Sequence, residues 1–213
     1  MAPVSTISLL EDLPQDLLGD IISRAAESGR LNVRHCMEAS MGLAKATEDK
    51  RVHKKLNLRP LAFNPLATLH QYEKLMEKCL ENGNAEAHYI EGIKEYFYYN
   101  NITTGLHHLQ ATAEGSYDNG IYLYGIIMLC RGQTEEGKNY LDLLGWQKCK
   151  RRADRCWRNI QRSLHVIPVI KWEIYRTSLR NIKPSRRCKL NDMDTRCNKC
   201  YYYKQMKKFM TLP

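Results

Sequence analysis

Apolar residues recur at helical spacing near the start of the chain. Leu13, Leu17 and Ile21 lie four residues apart and would form one stripe along a helix. Four more apolar residues widen this stripe: Leu10, Leu18, Ile22 and Ala25. The pattern predicts a helix over residues 14–27, because proline suits the first helical position. The apolar stripe covers more of the helix surface than contact with a single core usually requires. We therefore expect this helix either to be enclosed in its own domain or to offer one face to a partner.

The same spacing continues into a small helical module. It predicts helices over residues 33–46 and 49–56, and Gly29 is suited to end the first helix. Pro60 and Pro65 prevent a continuous helix and mark a boundary. The predicted organisation is a flexible tail (1–8), a module (9–58), a linker (59–65), a helical-repeat domain with C-terminal capping helices (66–175) and a basic tail that contains cysteines (176–213).

Residues 66–145 contain an internal repeat. A Tyr-x-x-Gly-Ile motif recurs after 33 positions, and a glycine and a leucine recur after 32 positions. The pairs are Tyr89/Tyr122, Gly92/Gly125, Ile93/Ile126, Gly105/Gly137 and Leu109/Leu141. A glycine inside a helix costs about 1 kcal/mol relative to alanine. That cost is tolerable if the second helix of each hairpin crosses closely at Gly92 and Gly125, so the pattern predicts antiparallel helical hairpins.

The predicted fold class is all-α. A small three-helix module is followed by antiparallel helical-hairpin repeats and by an irregular basic C-terminal segment. Thirteen tyrosines against three phenylalanines indicate rings that pack between helices and leave their hydroxyl groups in contact with water.

The net charge of +10 is unevenly distributed. Residues 1–145 hold 14 Lys and Arg against 19 Asp and Glu, which gives −5, whereas residues 146–213 hold 19 against 4, which gives +15. Such a basic segment could meet nucleic acid or an anionic surface. Because its basic residues are not interleaved with the signature of a nucleic-acid-binding fold, we expect a solvated basic surface and no nucleic-acid partner.

The sequence also bears on the compartment of the protein. The first eight residues lack a basic region, and the run Leu9-Leu10 is interrupted at once by Glu11 and Asp12, so no signal peptide is predicted. No apolar run approaches the length of a membrane span. Eight scattered cysteines indicate reduced thiols. We expect an intracellular protein of the cytoplasm, the nucleus or both, with no membrane partner.

One group of residues is typical of metal binding. Cys188, Cys197 and Cys200 include a Cys-x-x-Cys pair and could give three thiolates to tetrahedral zinc. Candidates for a fourth ligand, all upstream, are Cys149, Cys156 and His165. A set of reduced thiols and a partly lost zinc finger are alternative interpretations. The chain shows no phosphate-binding loop and no catalytic motif, so we expect no enzymatic activity and no cofactor other than zinc.

An aromatic run in the first repeat suggests a binding surface. Helical periodicity turns the rings of residues 96–99 in several directions, so some must be exposed or meet another element. Repeat solenoids bind partners on their concave surfaces. The predicted target-binding residues are Glu91, Glu95, Tyr96 and Tyr99. Packing between helices is the alternative for each single ring.

Two parts of the chain resemble known families. The start of an F-box is matched, in order, by Leu13-Pro14, Asp16, Leu17-Leu18, Ile21-Ile22 and Arg24. The hairpins resemble tetratricopeptide and Sel-type repeats, whose second helix ends as residues 111–115 do. In the second half of the F-box-like region, Met37 and Ser40 stand where the family carries a lysine and an aromatic residue. The order of these parts resembles a plant F-box protein family.

This resemblance implies a substrate receptor, the adaptor subunit of a Skp–cullin–F-box ubiquitin ligase. The F-box would dock on a Skp-type linker, which joins it to the cullin–RING ligase, and the repeats would hold an unidentified target protein. The implied docking residues are Leu13, Pro14, Leu17, Leu18, Ile21, Ile22, Val33 and Cys36. The chain itself would have no catalytic residue, because partner proteins perform the transfer.

Two alternatives to the adaptor stay open. One is a helical-repeat scaffold with no role in a ligase. The other is a basic zinc- or nucleic-acid-binding module at residues 146–213.

Overall fold

The residues that the structure describes are mainly helical. The computed structural model describes residues 10, 12–184 and 188–213, and these ranges contain thirteen α-helices and no β-strand. The helices are α1 (Gln15–Ser28), α2 (Arg30–Ala39), α3 (Met41–Ala46), α4 (Lys50–Lys55), α5 (Arg59–Ala62), α6 (Glu73–Glu81), α7 (Ala85–Ile93), α8 (Ile102–Glu114), α9 (Asp118–Cys130), α10 (Thr134–Asp142), α11 (Lys150–Ser163), α12 (Glu173–Asn181) and α13 (Tyr201–Met210). This confirms the predicted all-α class. The tail predicted over residues 1–8 lies outside the described residues.

The first four helices form a module around the inner side of α1. Leu18, Ile22 and Ala26 are at most 2% exposed and belong to the core that also holds Val52 of α4 and Leu56. Helix α1 packs directly against α2, α3 and α4. The apolar stripe that predicted this helix therefore supplies the centre of the module.

The helix predicted over residues 33–46 is divided at Ser40, which corrects that expectation. Ser40 has an extended backbone, and its hydroxyl oxygen accepts a hydrogen bond from the backbone N–H of Leu43 at 3.2 Å. Serine favours such a capping position because its side chain satisfies an amide that the helix leaves unpaired. The chain therefore ends α2 at Ala39 and begins α3 at Met41.

An ion cluster fastens α4 to the start of α1. Asp49 caps α4 by accepting from the backbone N–H of Arg51 at 2.8 Å. The Arg51 guanidinium lies 2.7 Å from both the Asp49 and the Asp16 carboxylates, and it lowers the pKa of Asp49. Gly19 makes room for this cluster, since a Cβ there would overlap the Asp49 side chain. The entry of α1 is thus fixed against α4.

The proline-marked segment is helical and packed. Helix α5 lies within the predicted linker, and a 3₁₀ turn spans Pro65–Leu69. Leu61 and Ala62 are at most 5% exposed, and α5 packs against α7. The Asn84 side-chain amide also donates to the carbonyl oxygens of His53 and Leu56, each at 2.9 Å. These contacts join the N-terminal module to the first repeat.

Glycines let the paired helices of the repeat approach each other closely. A Cβ on Gly92 of α7 would lie 2.8 Å from Leu109 Cγ of α8. A Cβ on Gly137 of α10 would lie 2.7 Å from the carbonyl oxygen of Gly125 in α9. Both hairpins therefore have the close crossing that explains the recurring glycines. A Cβ on Gly105 of α8 would likewise overlap the backbone of Tyr96, so this glycine also permits a close approach.

Helix α9 is the centre of the repeat region. Every residue of α9 after Asp118 is buried, because the helix packs against α8, α10, α11, α12 and α13. A helix that is apolar on all sides needs such a complete enclosure.

The C-terminal segment differs from the irregular tail that the sequence suggested. Helix α13 packs onto α9, and Tyr201, Met206 and Phe209 are fully buried. Tyr201 stacks on Trp146 with a centroid separation of 3.6 Å. The residues predicted as a basic tail thus complete the core.

Several buried tyrosine hydroxyls form hydrogen bonds inside the protein, which corrects the expectation that they contact water. Tyr122 donates to Gln205 of α13 at 2.7 Å, and the Tyr96 and Tyr175 hydroxyls lie 2.5 Å apart. Tyr89 donates to Ser163 of α11 at 3.1 Å. Burial raises the pKa of Tyr89 and of Tyr122 well above the ordinary value, so both rings stay neutral donors.

The contact between α9 and α10 generates a stability prediction. Gly137→Ala would insert a methyl group against the backbone of Gly125, which cannot move aside as a flexible side chain would. We expect the free energy of unfolding to fall by about 1–3 kcal/mol, despite the better helix propensity of alanine. Urea-induced unfolding, monitored by circular dichroism, measures the free energy of unfolding.

Asn139→Ala is the matched control for this substitution. Asn139 is exposed on the same helix, so the change should leave the free energy of unfolding within about 0.5 kcal/mol of the wild type. A Gly137→Ala variant as stable as the wild type would show that α10 can shift without loss.

Candidate functional site

One side of α1 presents an apolar row to solvent. Pro14, Leu17 and Ile21 are exposed, and the last two retain 49% and 41% of their accessible surface. Their sequence neighbours Leu18 and Ile22 are at most 2% exposed. Adjacent residues point about 100° apart on an α-helix, so each apolar pair contributes one residue to the core and one to the surface. The apolar stripe therefore has two faces, and only one of them packs inside the module.

The remaining predicted docking residues are half-buried. Leu13, Val33 and Cys36 pack against the edge of the core, where they support α1 and α2. Leu18 and Ile22 are core residues, so their side chains are not available to a partner. The eight predicted residues thus separate into an outer row, which we call the α1 face (Pro14, Leu17, Ile21), and an inner supporting set.

Further apolar residues are exposed on α2 and α3, the two helices that follow α1. Leu31, Met37 and Met41 are 66%, 52% and 90% exposed. The Gln15 side-chain amide donates to the carbonyl oxygen of Gly42 at 3.5 Å, which places the start of α3 beside the first turn of α1. Large exposed apolar residues that lie close together commonly mark sites of protein interaction. Sequence reasoning missed Met41, since nothing in its local pattern shows that α3 returns to α1.

A second surface feature is a groove along α6 and the end of α7. It has a volume of about 1010 Å³, and its lining includes residues of both helices and of the turn that follows α7. Five of the lining residues are acidic: Glu73, Glu77, Glu81, Glu91 and Glu95. The two lining cations are Lys74 and Lys94, and Lys94 is already paired with Glu91 at 2.8 Å. We call this acidic surface the α6–α7 groove.

The structure divides the predicted target-binding residues. Glu91, Glu95 and Tyr99 line the α6–α7 groove, whereas Tyr96 is 2% exposed and bonded to Tyr175. A π-helical turn over Lys94–Tyr98 extends α7, and this turn directs the Tyr96 ring into the core. Tyr96 therefore cannot present its ring to a target.

The acidic row of α6 was not identified from the sequence. Glu73, Glu77 and Glu81 recur every four residues, which places them on one side of α6. That spacing was a usable signal. The spacing alone does not predict a groove, because the fold places Glu91 of α7 and Glu95 of the following turn in the same groove as this row.

The three candidate metal ligands come together. The sulfur of Cys197 lies 3.7 Å from that of Cys188 and 3.5 Å from that of Cys200. The backbone N–H of Lys199 and the hydrogen bond shared with Cys200 lower the pKa of the Cys197 thiol to about 7. Within the part of the chain that the structure describes, this is the one group of three or more metal-binding side chains with this geometry.

The predicted fourth ligands lie elsewhere. Cys149, Cys156 and His165 do not belong to this cysteine cluster. Cys156 is 1% exposed within α11, and burial raises its pKa to about 12. It is a core residue and stays protonated.

Across residues 10, 12–184 and 188–213, no helix has both the length and the apolar character that crossing a membrane requires.

Comparison with known proteins connects these features to a family. The profile of the family described as plant tetratrico peptide repeats matches residues 59–165, which run from α5 to just beyond α11. No solved structure matches the chain.

Two relatives come from Arabidopsis thaliana. The protein named F-box protein At2g35280 is 41% identical over 142 residues, which are 67% of this chain and 86% of that protein. The protein named Putative F-box protein At1g67623 is 31% identical over 132 residues, which are 62% of this chain and 44% of that protein. The family profile covers half of the chain, and the first relative is matched over most of its length. The chain therefore belongs to the family of plant tetratricopeptide-repeat proteins.

Proposed function

We propose that this protein is the substrate-receptor subunit of a Skp–cullin–F-box ubiquitin ligase. The observation that carries the proposal is the α1 face, where Pro14, Leu17 and Ile21 are held outward although the module has a complete core of its own. The names of the two Arabidopsis relatives, both given as F-box proteins, support this reading.

The α1 face supplies the contact with the Skp-type linker. Leu17 and Ile21 each have close to half of their surface to bury in a complex. Burial of apolar surface contributes about 25 cal/mol per Å², so such side chains can dominate a docking energy. Leu18, Ile22, Val33 and Cys36 act indirectly by fixing the orientation of α1.

The α6–α7 groove supplies the contact with the target protein. Its lining has an excess of carboxylates over free ammonium groups, which favours a target segment that is rich in Lys and Arg. Tyr99 also lines the groove and is 52% exposed. Its ring adds an aromatic surface on which an arginine can stack.

The two surfaces are held in a fixed relation to each other. Helix α6 contacts α4, and Lys78 of α6 forms an ion pair with Glu48 of the module. Asn84 and Glu86 at the start of α7 bind the backbone that leaves the module, with Glu86 accepting from Leu58 N–H at 2.5 Å. A receptor acts by bringing a bound target near the transferring enzyme, and a rigid connection maintains that geometry.

This function assigns no catalytic residue to the chain. The ligase partners carry out the transfer of ubiquitin, and the receptor contributes proximity.

The linker contact is tested by charging the α1 face. Leu17→Asp and Ile21→Asp place a carboxylate on the proposed contact without touching the core, because both side chains already face solvent. We expect each to weaken binding to a purified plant Skp-type linker by at least about tenfold, which corresponds to about 1.4 kcal/mol. Isothermal titration calorimetry measures the affinity.

Ile174→Asp is the matched control for the linker contact. Ile174 is 48% exposed on α12, close to the value for Leu17, but it lies outside the N-terminal module. Its variant should bind as the wild type does. A wild-type protein that binds no Skp-type linker would exclude the ligase role and leave the helical-repeat scaffold as the function.

The target contact is tested by neutralising the α6–α7 groove. Glu91→Gln/Glu95→Gln removes two charges from the groove and keeps side chains of the same size. We expect the proteins that co-purify with the wild type to bind about three- to tenfold more weakly, because single exposed charge contacts are worth up to about 1 kcal/mol. Quantitative mass spectrometry of the purified complexes measures the loss, and the amount of bound linker should be unchanged.

Glu135→Gln/Glu173→Gln removes the same number of charges from outside the α6–α7 groove. This variant should keep its associated proteins. If both double variants retain the same proteins at the same yield, the groove is not the target site.

A further inference from the structure

The cysteine cluster lies in the loop that leads into α13. Cys200 immediately precedes α13, Cys197 belongs to the preceding turn, and Cys188 lies nine residues before Cys197. The three sulfur atoms all lie within 4.8 Å of one another. The three cysteines are free thiols and form no disulfide bond.

The spacing of the sulfur atoms fits a tetrahedral zinc site. Zinc binds thiolate sulfur at about 2.3 Å, so two sulfurs on one tetrahedral ion lie about 3.8 Å apart. The Cys188–Cys197 and Cys197–Cys200 sulfur separations are 3.7 and 3.5 Å. The backbone N–H of Cys197 also points at the sulfur of Cys200, at 3.3 Å. An amide that donates to a sulfur stabilises the thiolate form that a metal requires.

The loop between these cysteines is shaped by internal contacts. Asp192 accepts hydrogen bonds from the backbone N–H groups of Asp194 and Thr195, at 3.0 and 3.2 Å. The carbonyl oxygens of Asp192 and Thr195 both accept from the ammonium group of Lys204, which is fully buried. Lys204 lies on α13, so this contact fixes the loop against the same helix that Cys200 begins.

The surrounding charge also suits a thiolate site. Three thiolates around one Zn²⁺ carry a net charge of −1. Lys204 shares the Thr195 carbonyl oxygen with the Cys200 thiol, which lies 3.9 Å from that oxygen. Arg196, directly before Cys197, is 4% exposed and pairs with Asp154 at 2.6 Å. The buried ammonium group of Lys204 therefore places positive charge near the Cys200 sulfur, which favours a negatively charged metal–thiolate centre.

We propose that Cys188, Cys197 and Cys200 bind one Zn²⁺ ion as three thiolates. The residues that the structure describes bring no fourth Cys, His, Asp or Glu ligand into this cluster, so we assign the fourth position to a solvent molecule. The ion holds the loop before α13 to the start of that helix and thereby supports the packing of α13 on α9. This site is independent of the proposed linker and target contacts.

Metal analysis of the full-length protein tests the proposal. The protein is produced in zinc-supplemented medium, purified with reductant and without chelator, and analysed by inductively coupled plasma mass spectrometry. We expect about one zinc ion per chain in the wild type and less than about one tenth of that in Cys197→Ser and Cys200→Ser. Cys149→Ser, which replaces an exposed cysteine outside the cluster, should keep the metal.

Cobalt provides a second measurement that does not depend on the metal acquired during expression. Co²⁺ added to the metal-free wild type should give thiolate-to-cobalt charge-transfer absorption and the strong visible bands of tetrahedral coordination, and neither should appear with Cys197→Ser. Far-ultraviolet circular dichroism checks that each variant is folded. A folded wild type that takes up neither metal, cysteine variants that keep their zinc, or a disulfide between two of these cysteines in the purified protein would each overturn the proposal.

Discussion

The close contact between the glycine backbones of α9 and α10 is the constraint on which the rest of the repeat region depends. Helix α9 has no polar side, so it is stable only when other helices surround it completely. Gly125 and Gly137 let α10 approach at backbone distance, and α8, α11, α12 and α13 then enclose the remaining sides. A larger residue at either glycine would hold α10 away and open a gap along the whole helix.

Polar contacts give this core a single arrangement. The hydroxyls of Tyr89, Tyr96 and Tyr122 form hydrogen bonds with residues of α11, α12 and α13, respectively. A buried hydroxyl without a partner costs about 1–3 kcal/mol, so helices that were packed in another register would lose these pairings. Asn84 and Glu86 extend the same principle to the junction with the N-terminal module. The docking surface and the target groove that we propose are therefore parts of one rigid body of contacts.

Charge has different uses in the two halves of the chain. In the N-terminal half, five carboxylates line the α6–α7 groove. In the C-terminal half, part of the strong positive charge is turned inward, since Lys204 and Arg196 are buried against loop carbonyls and Asp154. The exposed cations of α11 form an outer face of a helix whose other side, with Ala153, Cys156 and Ile160, belongs to the core. A net charge of +15 over residues 146–213 thus combines a solvated helical face with buried structural cations.

The sequence by itself determined the helical class, the start of α1 directly after a proline, and the repeat with its glycines. These features depend on local propensity and on spacing within one element, which a linear pattern records directly. The sequence also suggested Glu91, Glu95, Tyr96 and Tyr99 as target contacts, which stays a prediction for the three that line the groove, and it identified the three cysteines by type. Only the tertiary structure decided that Leu17 faces outward while Leu18 faces inward, that Tyr96 is buried, and that Cys188 reaches the Cys197–Cys200 pair. The tertiary structure also decided that α13 packs into the core. The orientations of Leu17, Leu18 and Tyr96 depend on which distant element packs against them, and the position of Cys188 depends on the path of the loop, which residue spacing alone does not specify.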